Sequence, residues 1–266
     1  MKASCLCPTF NRPPGKQWLL EEAIESFLRQ DYQDKELIIL NDCPRQTLVC
    51  NIPNVLVINM PRRMSSLGEK RNLLVSVAAG DVFFPWDDDD ISLPRRLSKS
   101  IELLGEQLEY YNPRRYWQMD STGLRSDHAL GVGHNCGGYK RELFNRVGGY
   151  AHVSSGEDAH IDSLMSEQGK LVPFDAHLSR GEWFYIYRWG VSDTHISGIT
   201  QLLPKEGGYH YIGDQAVVEG TFELKPQWRL PYDRLTAQLV ASTATSMPLQ
   251  REDLVRPFKI KLKRKV

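Results

Sequence analysis

Glu36-Leu37-Ile38-Ile39-Leu40-Asn41-Asp42 is the stretch whose character decides the architecture. Its apolar run is continuous but too short for a helix, which is the pattern of a strand buried on both faces in a parallel sheet covered by helices. Upstream, residues 2–7 read as a short strand and 17–30 as a helix, with Leu20, Ala23, Ile24, Phe27 and Leu28 recurring at helical spacing. Downstream, Val55 to Ile58 repeats the buried-strand signal, 68–79 reads as a helix, and Asp81-Val82-Phe83-Phe84-Pro85-Trp86 reads as another strand. Strand, helix, strand, strand, helix, strand in that order predicts an α/β fold whose mostly parallel central sheet is flanked by helices.

Pro94 opens a further helix with Leu97, Ile101, Leu104 and Leu108 on one face, proline being tolerated where the first N–H groups of a helix have no partner. The second half is less regular. Arg115 to Met119 and Glu182 to Tyr187 are aromatic strand candidates, separated by glycine-rich turns and a helix near 157–168. Past about residue 226 clear periodicity is lost, and an irregular C-terminal extension closes with Lys259-Ile260-Lys261-Leu262-Lys263-Arg264-Lys265-Val266.

With 41% hydrophobic and 25% charged residues over 266 positions, the chain has apolar material for one sizeable core, which excludes disordered and fibrous classes. Lys plus Arg and Asp plus Glu balance at 33 each, so no whole-molecule field steers it to nucleic acid or membrane and charge has to be read locally. No apolar run approaches the roughly 18–20 residues of a membrane helix, and Met1-Lys2-Ala3-Ser4-Cys5 enters a strand rather than a signal-peptide core. With an odd number of cysteines, five, these features predict a cytoplasmic protein with reduced thiols. A zinc site from Cys5, Cys7, Cys43 and Cys50 is the alternative use of those thiols, and the Cys-x-Cys spacing counts against it.

Asp87-Asp88-Asp89-Asp90 follows the strand at 81–86 directly. Four adjacent carboxylates at the end of a buried sheet repel one another and need positive charge to offset them. A divalent cation with oxygen ligands, Mg²⁺ or Mn²⁺, is the expected offset and would in turn neutralise phosphate oxygens. The carboxyl end of a strand is also where open parallel sheets bind ligands. A turn that only caps the next helix needs one or two acids, not four. The first strand-to-helix connection, Pro8-Thr9-Phe10-Asn11-Arg12-Pro13-Pro14-Gly15, lacks Gly-x-Gly-x-x-Gly and Gly-Lys-Ser/Thr, which removes dinucleotide and P-loop readings. Asn41-Asp42 should lie beside that loop, where a carboxylate accepts from a base N–H or a ribose hydroxyl, although an Asp after a strand is also an ordinary turn former. Gly156-Glu157-Asp158-Ala159-His160 starts a helix, and acids in a first turn complement the helix dipole without any further role.

Five blocks in order resemble family 2 glycosyltransferases of the GT-A fold: Cys7-Pro8-Thr9-Phe10-Asn11-Arg12; Ala23 to Tyr32 with Ser26 and Gln30; Glu36 to Asp42; Lys70-Arg71-Asn72 through Ala79-Gly80-Asp81; and Trp86 to Pro94. The resemblance covers residues 3–100 and thins out toward 200. It implies metal-dependent, inverting transfer of a sugar from a nucleoside-diphosphate sugar, UDP being the family's commonest carrier, to an acceptor hydroxyl. A GT-A domain would span 1–225, with a nucleotide-binding half at about 1–110 and an acceptor half at about 111–225, leaving 226–266 as the extension. Residue by residue, the resemblance implies nucleotide contacts from Pro8, Thr9, Asn11 and Arg12, from Asp42 as the carboxylate that reads the base, and from Arg71 and Asp88. It implies Mn²⁺ or Mg²⁺ ligation by Asp87 and Asp89 of an Asp-x-Asp motif, and a general base at Asp158 with Glu157 second. Related enzymes return a C-terminal residue toward the metal or diphosphate, which makes His195 a candidate metal ligand and Arg188 a candidate diphosphate contact. Asn41 departs from the more frequent Asp-Asp pair.

Two rival readings stay open on sequence alone. Clustered acids also serve two-metal phosphoryl or nucleotidyl transfer, against which the absence of a second dense acidic cluster counts. A nucleotide-sugar-binding module without turnover is the other. Five of the last eight residues are Lys or Arg, so Lys259 to Lys265 is a solvated end or a contact for anionic lipid or nucleic acid. The second option fits a peripheral place at the inner membrane face and a glycan, lipid-linked or nucleic-acid acceptor.

Overall fold

Burial on both faces is what the apolar runs at 37–40 and 82–84 require, and a six-stranded sheet provides it in the computed structural model. The structure describes residues 1–12, 17–120, 123–127, 134–173, 178–188, 204–205, 208–209, 219–242 and 244–247. In chain order its elements are β1 (Ala3–Thr9), α1 (Trp18–Leu28), β2 (Lys35–Asn41), β3 (Gln46–Val49), β4 (Val55–Asn59), α2 (Leu67–Val77), β5 (Val82–Pro85) and β6 (Ile91–Ser92). They continue with α3 (Arg96–Leu104), β7 (Tyr110–Tyr111), β8 (Tyr116–Asp120), β9 (Gly123–Asp127), β10 (Gly138–Lys140), α4 (Arg141–Val147), α5 (Glu157–Gln168) and β11 (Tyr185–Arg188). The described elements end with β12 (Pro204–Lys205), β13 (Gly208–Tyr209), β14 (Gly220–Glu223), α6 (Tyr232–Ala241) and β15 (Ser246–Met247).

The main sheet runs β4-β2-β1-β5-β10-β7. Its first four strands are parallel, as the sequence predicts, and β10 and β7 add antiparallel edges. Because successive strand residues face opposite ways, the apolar runs divide between two cores. Ala3, Cys5, Leu37, Ile39, Val82 and Phe84 enter one, which α1, α3 and α6 cover with Leu20, Leu97 and Leu235. Leu6, Ile38, Leu40 and Phe83 enter the other, which α2, α4 and α5 cover with Leu74, Leu143 and Ile161. A second sheet, β15-β9-β8-β11-β6, joins the first through β6, which follows the Asp quartet and pairs antiparallel with β11. Cys5 and Cys7 are fully buried free thiols whose pKa burial pushes far up, and among the described residues no Cys, His or acid cluster forms a closed metal cage, so the zinc alternative has no support. Among the described residues no helix is long and apolar enough to cross a membrane.

Three segments differ from the sequence reading. The third helix stops at Leu104, short of Leu108, because Gly105 takes a φ of 49° that ends the helical path. The strand expected from Glu182 begins only at Tyr185, since the Glu182 carboxylate accepts from the Ser179 N–H at 2.9 Å and from its hydroxyl at 2.7 Å, closing a short 3₁₀ turn. Beyond residue 226 the chain forms α6, with Tyr232, Leu235 and Leu239 buried in the same core as α1. The Trp228 indole donates to Ser26 Oγ at 3.0 Å, so this part of the extension is packed onto the first helix.

Close backbone approach sets the position of α2. A Cβ on Gly68 would lie 1.7 Å from the Ala151 carbonyl oxygen, and the Gly68 N–H donates to Val153 O at 3.0 Å. The first turn of α2 therefore rests directly on the loop that leads to α5. Gly68→Ala is expected to lower the unfolding free energy by about 1–3 kcal/mol, the usual cost of overpacking. Urea denaturation at wild-type midpoint would show that the loop yields freely.

Candidate active site

Parallel register brings the ends of three strands to one edge. Thr9 lies opposite Asn41, Leu6 lies opposite Pro85, and the Trp86 N–H continues the ladder to Leu6 O at 2.9 Å. The Trp86 indole then donates to Ala23 O at 2.9 Å, holding the strand end against α1. The loop after β1, Asp42 after β2 and the Asp87–Asp90 quartet after β5 thus share one end of the sheet, the end where parallel sheets bind ligands.

Each acid of the quartet has found its own partner. Arg12 grips Asp88 with both sides of its fork, Nε to Oδ2 at 2.8 Å and Nη2 to Oδ1 at 2.5 Å, and reaches Asp89 at 3.3 Å. Thr9 Oγ1 donates to Asp88 Oδ2 at 2.5 Å. Burial by itself would raise the Asp88 carboxyl, but Arg12 and Thr9 outweigh it and hold it below the usual range. Arg71 Nη2 lies 3.3 Å from Asp87. Asp90 accepts from the Tyr185 hydroxyl at 2.6 Å and the Arg188 N–H at 2.7 Å, yet burial and then the charges of Asp89 and Asp87 push its pKa far above normal. Arg12 and Arg71 thus supply positive charge to Asp88, Asp89 and Asp87, whereas Asp90 is met by a hydroxyl and a backbone N–H.

Arg188, a candidate diphosphate contact on sequence grounds, points into the protein. Its Nε donates to the Asp89 carbonyl, and its Nη1 donates to Glu22 Oε2 at 2.5 Å with Tyr232 Oη at 3.4 Å. Glu22, fully buried on α1, also accepts from Tyr232 Oη at 3.0 Å and Arg229 N at 2.7 Å. Only Nη2 of Arg188 has no partner among the described residues.

Asp42 is 2% exposed and held by three donors: Lys70 Nζ at 2.6 Å, Arg63 Nη1 at 2.5 Å and the Met64 N–H at 3.1 Å. Lys70 also donates to Thr9 O at 2.5 Å, and burial lowers its pKa to about 8 in spite of Asp42. Asn11, in the same loop, takes a φ of 46°; its Oδ1 accepts from Gln46 and its buried Nδ2 has no partner among the described residues. Pro8 is a buried strand residue opposite Leu40.

The acids of α5 divide by exposure. Glu157 is buried, with Arg71 Nε 3.3 Å from its Oε1; burial raises its pKa while Arg71 opposes the rise. Asp158 is half-exposed and accepts from the Ala159 N–H at 2.8 Å. Arg71 therefore joins the quartet to the start of α5. Beneath it, Tyr150 is clamped by Asn72 at both its N–H (2.8 Å) and its carbonyl (2.9 Å), and its hydroxyl meets His134 Nε2 at 2.7 Å and the Tyr139 hydroxyl at 2.9 Å.

Lys70, Arg63 and Glu22 are the residues that sequence reasoning passed over. Lys70 sat beside Arg71 in view: neighbours on a helix point about 100° apart, so the pair serves two carboxylates, Asp42 and Asp87. Nothing local marks Arg63 or Glu22. His195 and Lys259 to Lys265 lie outside the described residues. As for a divalent cation, Asp88 and Asp90 have both oxygens engaged, and Asp87 and Asp89 bring further hard oxygen donors to the same strand end. Two carboxylates completed by substrate phosphate and water is an ordinary Mg²⁺-type donor set, so the residues fit such an ion.

Comparison with known proteins bears on the family and the fold. A model of glycosyl transferase family 2 matches residues 4–157. EpsE of Bacillus subtilis is 28% identical over 120 residues, which cover 42% of this chain and 41% of that protein. The GalNAc(5)-diNAcBac-PP-undecaprenol beta-1,3-glucosyltransferase of Campylobacter jejuni is 27% identical over 195 residues, 70% of this chain and 52% of the other. The chain spans about half or less of these relatives' length. Among solved structures, S. aureus TarS in complex with UDP-GlcNAc shares the fold over 73% of this chain and 60% of that one, with a TM-score of 0.52 and 16% identity.

Burial, and then the charges of Arg71 and Arg96, lower the His134 pKa from 6.5 to about 3. Between those values the unfolded chain binds a proton that the folded chain refuses, so this group makes stability fall as the pH drops from 6.5 toward 3. Its imidazole resonances should stay unshifted from about pH 7 to about pH 5, and His134→Gln should flatten the acid limb of stability. A titration midpoint near 6.5 would refute the buried neutral ring.

Proposed function

Because the chain belongs to glycosyl transferase family 2, we propose that it transfers a sugar from a nucleoside-diphosphate sugar, UDP-linked in the first instance, to an acceptor hydroxyl with inversion at the anomeric carbon. One observation carries this reading. Arg71 spans 3.3 Å to Asp87 and 3.3 Å to Glu157, linking the sheet end that suits a diphosphate to the helix that bears the base. The UDP-GlcNAc complex of TarS, a protein of the same fold, supports the donor class, and the Campylobacter relative's name supports sugar transfer.

In this reading Asp42 accepts from the base, and the unpartnered Asn11 Nδ2 is a donor left for a ligand oxygen. Asp88, with both oxygens engaged, holds the first loop in place through Arg12 and Thr9. A Mn²⁺ or Mg²⁺ ion bound by Asp87 and Asp89, with His195 as a further candidate ligand, would supply Lewis-acid stabilisation of the leaving diphosphate. Asp158 takes the acceptor's hydroxyl proton as that oxygen attacks the anomeric carbon, because a base must reach the acceptor and Asp158 is the accessible acid of the pair. Glu157, tied to Arg71, positions rather than reacts.

Asp158→Asn is expected to lower kcat by about 10²–10⁴-fold with donor affinity retained, followed as acceptor-dependent release of nucleoside diphosphate. Wild-type kcat in that variant, with loss in Glu157→Gln, would move the base to Glu157. Asp89→Ala should remove the Mn²⁺-dependent part of the thermal stabilisation given by UDP, read as the difference between Mn²⁺ and chelator within the same variant. Undiminished metal dependence would exclude Asp89 as a ligand.

A further inference from the structure

Arg63 stands in the connection between β4 and α2. Its guanidinium carbon lies 3.7 Å from the centroid of the Phe10 ring, and its Nη1 donates to Asp42 Oδ1 at 2.5 Å. The two partners differ sharply in exposure: the Arg63 side chain is 54% exposed, and the Asp42 carboxylate beneath it 2%. The other donors to Asp42 are fixed, one being Lys70 with a side chain 4% exposed and the other the backbone of Met64. One donor of three is thus a long arm in contact with solvent, and that arm covers the carboxylate.

A guanidinium is planar, stacks on aromatic faces and presents N–H groups at its edge. A nucleobase such as uracil or guanine offers the same two features, a flat face for Phe10 and an N–H edge for Asp42. We propose that Arg63 sits in the position of the donor's nucleobase in the ligand-free enzyme, and that a nucleoside diphosphate must displace it to reach Phe10 and Asp42. The proposal rests on Asp42 as the base-reading carboxylate. Arg63 then sets donor affinity, since apparent binding is reduced by the fraction of molecules in which the arm has swung away. The Arg63 guanidinium is half in solvent, so water takes up its N–H groups when it leaves, and a cation–π contact at the surface is modest, which keeps the arm displaceable. Lys70 remains on Asp42 after displacement, so the buried carboxylate is never left without a cation.

Calorimetric titration of UDP, and separately GDP, into the full chain with Mn²⁺ tests this in wild type, Arg63→Ala and Arg63→Lys. Arg63→Ala is expected to bind UDP roughly 3- to 30-fold more tightly, with Arg63→Lys between the two. Unchanged or weaker UDP binding by an Arg63→Ala protein with wild-type unfolding overturns the proposal and leaves the enzyme's assignment intact. A folded wild type that binds no nucleoside diphosphate at all overturns both.

Discussion

Four consecutive acids at the end of a buried strand need cations or neutral donors around them, and meeting that demand organises much of this molecule. Arg12 comes from the loop after β1 and Arg71 from α2, each bringing a cation to the same edge of the sheet, while Arg188 of β11 meets the quartet through its backbone N–H and the Asp89 carbonyl. Arg188 is secured in turn by Glu22 of α1 and the hydroxyl of Tyr232 of α6, which ties the late helix to the first one. Buried pairs of this kind are costly to break, on the order of 3–5 kcal/mol when one partner is removed, because the other is left charged and dry. Exposed pairs such as Arg45 with Glu219 are worth far less.

The same electrostatics divides the acids by task. Asp88 and Asp90 have their oxygens engaged by arginine, tyrosine, threonine or backbone, and they hold the loop's shape. Asp87 meets Arg71 and Asp89 meets Arg12, each at 3.3 Å, and these two are the acids to which the proposed cation is assigned. On α5 the two acids differ in exposure: Glu157 is buried beside Arg71, and Asp158 stands half in solvent. Lys70 and Arg71, neighbours on one helix, connect these sets, one reaching Asp42 and the other bridging the quartet to α5.

The backbone was legible in the sequence where one physical signal dominated. Continuous apolar runs at 37–40 and 82–84 mark strands buried on two faces, and Leu20, Ala23, Ile24 and Phe27 mark the covering helix, because burial leaves its period in the local order of residues. The signal failed where a single residue overrode it, as Gly105 does in ending α3 before Leu108. It also failed at α6, whose apolar face of Tyr232, Leu235 and Leu239 is brief and flanked by charge. Of the site, the acids announced themselves by crowding, whereas Arg12, Arg71 and Arg188 were named only through the family resemblance, as ligand contacts rather than as partners of the acids.

What the amino-acid order determined alone was therefore the strand and helix sequence, the parallel sheet, and the placing of an acidic quartet at a strand's carboxyl end. Which cation meets which acid was decided only in three dimensions. Arg12 and Asp88 are 76 residues apart, Arg71 and Glu157 are 86 apart, and Glu22 and Arg188 are 166 apart. Hydrophobic periodicity is written within a few residues of chain, whereas charge pairing depends on distances across space that exist only once the sheet has assembled and water has been excluded.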